Sequence, residues 1–245
     1  MKIFNHSTCK VFLCTSFILN LLLIGVIYIA ETHSRVFSMA LERRNLLTLN
    51  DKVHPDYWVI AGWTNTIKKL HNNFDAAFFG NSITCGSDFQ SFFPEKKIIN
   101  LGYPGDNIKG MQRRVPMLQA SHPQKIFIMA GTNDLFHSSI NEFVSNYNTL
   151  LSVITDSIPN AKIYLESILP MNQDMKKGAP SDETIRQANT EIEKKAKSRK
   201  LEYIDVYSQY AKNGKLPSDI TRDGIHLLPQ HYDKWASLVE SFINE

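Results

Sequence analysis

The sequence is poor in cysteine and has no internal repeat or low-complexity run. Its 245 residues include three cysteines, Cys9, Cys14 and Cys85, which are too few for a small fold held together by disulfide bonds. Its 11 glycines and 10 prolines exclude a collagen-like repeat. A composition with 43% hydrophobic and 21% charged residues is typical of a globular protein, and it excludes a disordered tail and a multi-span transporter.

An excess of charge of one sign is also missing. The net charge is +3, and Lys2 and Lys10 are the only charged side chains in the first 30 residues. From residue 31 onward there are 25 basic and 24 acidic residues, and no stripe of arginine and lysine alternates with aromatic side chains. Such a chain lacks the electrostatic surface that binds nucleic acid, so we expect no nucleic-acid partner.

A long uncharged run occupies the N-terminal region. Val11–Ala30 contains no charge, and a helix of 20 residues spans about 30 Å, the thickness of a bilayer core. Cleavage after Ala30 would put Tyr28 at position −3 of the cleavage site, where signal peptidase needs a small side chain. We therefore expect residues 1–30 to be an uncleaved signal anchor with a transmembrane helix over 11–30. A cleaved signal peptide, which would give a secreted protein, and a buried helix are the alternatives.

The charges that flank this run favour neither orientation strongly. Lys2 and Lys10 favour a cytoplasmic N-terminus, whereas Arg35, Arg43 and Arg44 follow the run closely. A short N-terminus with two lysines is typical of export signals. We therefore expect the membrane-anchored chain to place residues 56–245, a single folded domain, outside the cytoplasmic membrane. Residues 31–55 are predicted to be a juxtamembrane stalk.

The rest of the chain alternates between two kinds of segment. Short apolar runs bounded by Gly, Pro or Asn are typical of buried parallel strands, and helical periodicity marks the stretches between them. The predicted strands are Ala76–Phe79, Ile98–Leu101, Ile126–Ala130, Ile163–Leu169 and Leu201–Val206, and the predicted helices are Asn141–Ile158, Asp182–Lys200 and Gln230–Ile243. This alternation predicts an α/β fold with a doubly wound sheet of about five parallel strands and helices on both faces.

Candidate site residues lie at the carboxyl ends of three of these strands, at the edge where α/β proteins place their ligands. Ser82 follows the first strand, Gly102 ends the second, and Asn133 follows the third. Taken singly, each is also explained by a helix cap or a turn. As a group they supply a hydroxyl nucleophile, a backbone N–H and a side-chain amide, and the last two can stabilise an oxyanion.

A further pair lies near the C-terminus. Asp223 precedes His226 by three residues, a spacing that lets the carboxylate accept from the imidazole and orient it as a base. Alone, this pair could equally be a surface ion pair. Together with Ser82, Gly102 and Asn133 it completes the parts that a serine hydrolase needs.

The sequence here closely resembles the SGNH (GDSL-type) hydrolase family over roughly residues 74–245. The matching segments are Gly80-Asn81-Ser82-Ile83-Thr84, the turn at Gly102, Gly131-Thr132-Asn133-Asp134 and Asp223-Gly224-Ile225-His226. The resemblance implies a flavodoxin-like sheet and esterase or lipase chemistry without metal or other cofactor. It implies a catalytic set of Ser82, Asp223 and His226, and an oxyanion hole formed by the N–H groups of Ser82 and Gly102 and the side chain of Asn133.

Two positions near the serine need comment. Asn81 stands where the family usually has Asp. The Asn keeps a similar shape and removes a negative charge. Cys85 follows Ser82 by three residues, and we expect it to face inward as a small hydrophobic side chain. Asp134 is expected to bond local backbone. The histidines outside the Asp223–His226 pair show no metal-ligand spacing, so we expect no metal site.

These features predict a serine esterase that acts on a small acyl ester, with O-acetyl groups on a glycan as the expected substrate. A lysophospholipid or a thioester is the alternative substrate, and acyl transfer to a sugar hydroxyl is the alternative reaction. A glycan-binding protein without catalysis is a third interpretation, which the complete set of five residues disfavours.

Overall fold

The computed structural model describes residues 19, 20, 22, 57–70 and 73–245. The chain divides into two compact units, residues 1–62 and residues 63–245. In the stretches that the structure describes, no helix combines the length and the apolar character needed to cross a membrane. The predicted transmembrane helix over 11–30 lies outside the described residues except at Leu19, Asn20 and Leu22, and the predicted stalk over 31–55 lies outside them entirely.

A five-stranded parallel sheet forms the centre of the second unit. Its strands are β1 (Ala76–Gly80), β2 (Ile98–Gly102), β3 (Lys125–Met129), β4 (Lys162–Glu166) and β5 (Glu202–Ile204). All pairings are parallel, and the order across the sheet is β2-β1-β3-β4-β5, which is the flavodoxin-like order. The predicted α/β fold is confirmed, and each strand overlaps the apolar run that predicted it.

Successive strand residues point to opposite faces of the sheet, and one of these faces is lined by aromatic rings. On one face the rings of Phe78, Phe127 and Tyr164 stack along neighbouring strands, with centroids 4.9 and 4.6 Å apart. Phe89 stacks on Phe78 at 3.6 Å, and Trp235 meets Phe89 edge-on. All five rings are buried, so this face is an aromatic core under the C-terminal helix.

Helices connect the strands or lie before β1 and after β5 in the chain. They are α1 (Tyr57–Leu70), α2 (Ser82–Cys85), α3 (Phe89–Phe92), α4 (Ile108–Ala120), α5 (Ile140–Ser157), α6 (Asp182–Arg199), α7 (Tyr207–Tyr210) and α8 (Asp233–Asn244). The long ones begin at side-chain caps: Asn107 accepts from the N–H of Gly110, Ser139 from Glu142 and Ser181 from Thr184. These caps explain why α5 and α6 begin within one residue of the predicted boundaries.

The structure differs from the sequence prediction in several helices, and α1, α3, α4 and α7 have no predicted counterpart. Helix α4 was not predicted, because Pro116 and Gly110 lie inside it and interrupt the apolar pattern that would indicate it. The last predicted helix begins instead with a 3₁₀ turn over Pro229–His231, and α8 starts two residues later. This turn joins the Asp223–His226 region to the C-terminal helix.

Candidate active site

Ser82 is the first residue of α2, directly after β1 and the single linking residue Asn81. The side chain of Asn81 is buried, and its Oδ1 accepts from the N–H of Ile83 at 2.9 Å. This cap starts the helix immediately after the strand and so fixes the position of the serine hydroxyl. An Asp at position 81 could make the same cap, so the Asn retains the structural part of that role.

Asp223 and His226 lie in a tight turn before α8. Asp223 Oδ1 accepts from the N–H groups of Ile225 and His226 at 3.1 and 2.9 Å. Thr221 is buried, and its hydroxyl donates to the carbonyl of His226 at 2.7 Å and accepts from the N–H of Gly224 at 3.0 Å. These local bonds hold the carboxylate and the imidazole together.

The three side chains form one hydrogen-bonded series. Ser82 Oγ lies 2.8 Å from His226 Nε2, and His226 Nδ1 lies 2.8 Å from Asp223 Oδ2. About a third of each of the Asp223 and His226 side chains is exposed, so an external molecule can reach the series. Partial burial alone would raise the pKa of Asp223, but the N–H groups of His226 and Ile225 and the imidazole lower it to about 2. Asp223 is therefore a carboxylate at neutral pH.

Asn133 follows β3 at the same edge of the sheet. Its Nδ2 donates to the backbone carbonyl of Asp106 at 2.6 Å, and Asp106 lies in the connection after β2. An amide nitrogen carries two hydrogens, so one donor of Asn133 remains for another acceptor. The contact also fixes the Asn133 side chain against the β2–α4 connection.

The N–H of Gly102 is not open to a ligand, because it already has a hydrogen-bond acceptor. Its N–H donates to Asn100 Oδ1 at 2.8 Å, and a Cβ at this position would lie 2.2 Å from the backbone nitrogen of Cys85. Glycine is therefore required here because strand β2 ends against the backbone of α2. A ligand would have to displace Asn100 to reach the Gly102 N–H.

A second glycine follows three residues later. Tyr103–Asp106 form a turn with Pro104 and Gly105 at its centre. The turn is closed by a hydrogen bond of 3.2 Å from the N–H of Asp106 to the carbonyl of Tyr103. Gly105 has a φ of 76°, as the second central residue of a type II turn requires. Within residues 73–245 its N–H donates no hydrogen bond. The sequence signal for this donor was the Pro-Gly pair itself.

A buried ion pair that no sequence pattern predicted lies beneath the site. Arg114 of α4 is buried, and its guanidinium bonds Asp106 Oδ2 at 2.6–2.8 Å. It also donates to the carbonyls of Leu101 and Gly80, at 2.8 and 2.9 Å. One side chain thus joins the ends of β1 and β2 to the turn that carries Gly105. We call Arg114 and Asp106 the buried clamp.

The structure also tests the predictions for Asp134 and Cys85. Asp134 does bond backbone, but at the start of α4: its carboxylate accepts from the N–H of Ile108 at 3.1 Å, and burial raises its pKa to about 6. The inward orientation predicted for Cys85 is wrong, because this residue is exposed on the short helix α2.

Among the described residues, no three His, Cys, Asp or Glu side chains are grouped as a metal site.

The family model of the GDSL-like lipase/acylhydrolase family matches residues 78–234. This match spans both Ser82 and the Asp223–His226 turn and covers well over half of the chain. The chain therefore belongs to the GDSL-like lipase/acylhydrolase family, and it is a hydrolase that acts on ester bonds. Among curated proteins, no sequence matches the chain.

Solved structures share the fold. A GDSL-like lipase from Bacteroides thetaiotaomicron VPI-5482 is 22% identical with a TM-score of 0.64, over 76% of this chain and 97% of that one. The lipase/acylhydrolase from Enterococcus faecalis is 19% identical with a TM-score of 0.60, over 69% and 94% of the two chains. An acetyl xylan esterase, AlAXEase, is 19% identical with a TM-score of 0.59, over 68% and 98%.

Proposed function

We propose that this chain is a serine esterase in which Ser82 is the nucleophile, His226 the general base and Asp223 the group that orients His226. The observation that carries the proposal is the continuous series from Ser82 Oγ through His226 to Asp223, with both distances at 2.8 Å. Asp223 as a carboxylate keeps the proton of the imidazole on Nδ1, which leaves Nε2 free to accept the proton of the serine.

The reaction proceeds through an acyl-enzyme. His226 Nε2 takes the proton of Ser82 as Oγ attacks the ester carbonyl, and the carbonyl oxygen becomes an oxyanion. The protonated imidazole then gives its proton to the departing alcohol oxygen as the ester C–O bond breaks. Water enters, and His226 takes a proton from it as its oxygen attacks the acyl carbon. The imidazolium returns that proton to Ser82 Oγ as the bond between Oγ and the acyl carbon breaks, which releases the carboxylic acid.

The oxyanion needs donors that point at it before the reaction begins. We propose the N–H of Ser82, at the N-terminus of α2, and the remaining Nδ2 hydrogen of Asn133. For the third donor we propose the N–H of Gly105 in place of Gly102, because Asn100 already accepts from Gly102. Gly105 precedes Asp106, whose carbonyl holds the Asn133 amide.

The proposed substrate is a small acyl ester, with O-acetyl groups on a glycan first. The connections after β1, β2 and β3 are short: Asn81 alone, residues 103–107 and residues 130–133 precede the next helical turn. These three connections are too short to cover a long acyl chain; the longer connection after β4, residues 167–181, packs on the Asp223–His226 turn. An acetyl xylan esterase with the same fold also supports this choice. A lysophospholipid, a thioester and transfer of the acyl group to a sugar hydroxyl remain alternatives.

The nucleophile is tested by Ser82→Ala. We expect this change to lower kcat for p-nitrophenyl acetate by about 10³–10⁶-fold, the range for loss of a catalytic nucleophile. Cys85→Ala is the matched control on the same short helix, and it should keep full activity because Cys85 lies outside the hydrogen-bonded series. A serine-directed phosphonate should label Ser82. Labelling at Cys85, or equal rates for Ser82→Ala and the unchanged protein, would contradict the assignment.

The substrate class is tested by chain length. We expect kcat/KM to be highest for acetyl esters and to fall for butyryl and octanoyl esters of p-nitrophenol, and acetate to be released from an acetylated glycan. A preference for octanoyl esters would favour the lipid alternative. Acetylated sugar that accumulates when a free sugar is added would favour acyl transfer.

We propose further that the segment 11–30 anchors the protein and places the hydrolase domain outside the cytoplasmic membrane. The support is the uncharged 20-residue run after Lys2 and Lys10. Alkaline phosphatase fused after Glu245 should be active, and the protein should stay in the membrane pellet after a carbonate wash. A fluorescent cytoplasmic fusion would reverse the orientation, and a soluble product that starts near Glu31 would indicate a cleaved signal peptide.

A further inference from the structure

One buried hydroxyl connects the two segments that carry Ser82 and His226. Tyr232 follows His226 by six residues, and its Oη donates to the carbonyl of Ile83, the neighbour of Ser82, at 2.7 Å. The ring of Tyr232 is 2% exposed. Within the described part of the chain, this is the one hydrogen bond besides Ser82–His226 that joins residues 81–86 to residues 221–232.

The carbonyl that Tyr232 binds belongs to a very short helix. Helix α2 has four residues, and the N–H of Ser87, which a longer helix would direct at the carbonyl of Ile83, donates to the carbonyl of Thr84 at 3.3 Å instead. Ile83 O accepts from the N–H of Gly86 at 3.2 Å and from the hydroxyl of Tyr232. The phenol therefore supplies part of the hydrogen bonding that a following helical turn would otherwise provide.

Gly86 gives a second and independent observation. Its φ of −71° is open to any residue, so its backbone does not require glycine. A Cβ at Gly86 would instead lie 2.4 Å from Tyr232 Oη and 3.3 Å from Tyr232 Cζ. The absence of a side chain at position 86 is what allows the phenol to reach Ile83.

The other contacts of Tyr232 make it a rigid link. Its ring stacks on that of Trp235 at 6.0 Å, and Trp235 Nε1 donates to the buried carboxyl of Glu166 at 2.6 Å. The residue before Tyr232 is also fixed, because the carbonyl of His231 accepts from the hydroxyl of Tyr210 at 2.7 Å. The segment after His226 is thus fixed to the core, and Tyr232 carries that position across to the serine helix.

We propose that Tyr232 is a positioning residue that sets the distance and angle between Ser82 Oγ and His226 Nε2. The inference rests on the proposed function, since it assigns Tyr232 to the reaction of Ser82 and His226. The bonds of the Asp223–His226 turn fix the imidazole within its own turn, whereas the Tyr232–Ile83 bond fixes that turn against the nucleophile. Loss of the link leaves both groups intact but lets their separation vary.

Tyr232→Phe removes the hydroxyl and keeps the ring. We expect kcat for p-nitrophenyl acetate to fall about 5–50-fold with KM unchanged within about twofold, because small misplacements of reacting groups lower the rate of the chemical step. Tyr164→Phe is the matched control: it removes a hydroxyl that bonds the carbonyl of Phe242 at 3.4 Å, within the β4–α8 packing. That variant should keep kcat.

Gly86→Ala provides a second approach that leaves the hydroxyl in place. The added methyl should displace the phenol and lower kcat to a similar degree, again at constant KM. In the double variant, Gly86→Ala should cost little beyond Tyr232→Phe, because the hydroxyl that the methyl would meet is gone. Such non-additivity is expected when two changes break one link. Additive losses of kcat in the double variant would overturn the proposal. So would a lower kcat accompanied by a changed KM in both single variants.

The outcomes separate this inference from the proposed function. If Ser82→Ala remains active, the proposed function fails whatever Tyr232 does. If activity depends on Ser82 but Tyr232→Phe and Gly86→Ala both keep full kcat, the esterase assignment holds and the positioning role is wrong. Melting temperatures of Tyr232→Phe, Gly86→Ala, the double variant and the control Tyr164→Phe distinguish a lower kcat in a folded enzyme from partial unfolding.

Discussion

Two aspartates at the same edge of the sheet are each paired with a basic side chain, yet they have opposite electrostatic settings. Asp223 is a third exposed, bonds His226 and two backbone N–H groups, and has its pKa lowered to about 2. Asp106 is nearly buried and bonds Arg114. Burial raises the pKa of Asp106 even though the guanidinium beside it opposes that rise.

The difference shows that a charged partner alone does not decide how a carboxylate is stabilised. Asp223 keeps contact with water and gains three hydrogen bonds, so ionisation costs little. Asp106 lies where the loss of hydration is large, and the attraction of Arg114 must offset it. The exposed pair is therefore suited to chemistry that exchanges protons, and the buried clamp is suited to holding the ends of β1 and β2 in place.

The same substitution should have different effects in the two regions, and the largest is expected at Asp223. Asp223→Asn keeps the shape of the side chain but removes the negative charge that holds the proton on His226 Nδ1. We expect kcat for p-nitrophenyl acetate to fall by about 10³–10⁴-fold with little change in melting temperature. Steady-state kinetics and a thermal unfolding curve on one preparation test both parts. A stability loss that accounts for the lost activity would contradict the comparison.

Asp106→Asn should reverse this pattern. The change leaves the buried guanidinium of Arg114 without its counter-charge, and breaking a buried pair in this way costs about 3–5 kcal/mol of unfolding free energy. The carbonyl of Asp106 that binds Asn133 is backbone and remains. We expect urea to unfold the variant at a clearly lower concentration, while the folded fraction keeps kcat within about tenfold. A variant with normal stability and no activity would place Asp106 in the chemistry instead.

Much of the fold could be predicted from sequence, because buried parallel strands are continuous apolar runs. Ala76–Phe79 predicted β1 to within one residue, and its neighbours in the sheet were predicted as well. The residues of the hydrogen-bonded series were also identifiable, since Ser82 lies just after a predicted strand and the Asp223–His226 spacing fits one turn. Each of these signals depends only on residues that are close together in the sequence, so it can be recognised without knowledge of the fold.

The buried clamp left no such signal. Arg114 lies among polar residues of α4, where a sequence pattern indicates an exposed side chain, and only the fold brings it under the carbonyls of Leu101 and Gly80. The prediction for Cys85 failed for a related reason: α2 is too short for helical periodicity to indicate which face is buried. A bond such as Gly102 to Asn100 depends on side-chain rotamers, which no spacing specifies.

Asn133 lies between the two regions, because its amide bonds the backbone of Asp106 and its second hydrogen is proposed to face the oxyanion. Asn133→Ala should lower kcat by about 10²–10³-fold, or roughly 2.7–4 kcal/mol, with little change in KM. Asn133→Asp should be worse, since it adds a negative charge beside the oxyanion. A rise in KM at constant kcat would mean that Asn133 binds the ground state of the substrate.

Glu166 extends the comparison to a carboxyl with neither exposure nor a cation. It ends β4 and is fully buried; Oε1 accepts from Trp235 Nε1 at 2.6 Å, and Oε2 has no partner among the described residues. Burial raises its pKa to about 8, although the indole N–H opposes the shift. Glu166 is therefore protonated in the folded protein over a range in which it is ionised in the unfolded chain.

The effect of Glu166→Gln on the pH dependence of stability follows from that difference. A pKa raised on folding gives stability that is complete below the unfolded value of about 4.5 and is lost as the pH rises through about 8. At roughly 1.4 kcal/mol per pKa unit, the contribution of Glu166 should decline by about 3 kcal/mol between pH 5 and pH 8. The amide cannot ionise, so the unfolding free energy of Glu166→Gln relative to the unchanged protein should rise by that amount over this range. Asp134, with its pKa near 6, titrates in both proteins and cancels in the difference. Urea unfolding of both proteins at pH 5, 6.5 and 8 measures this difference, and two parallel stability curves would show that Glu166 stays ionised in the folded state.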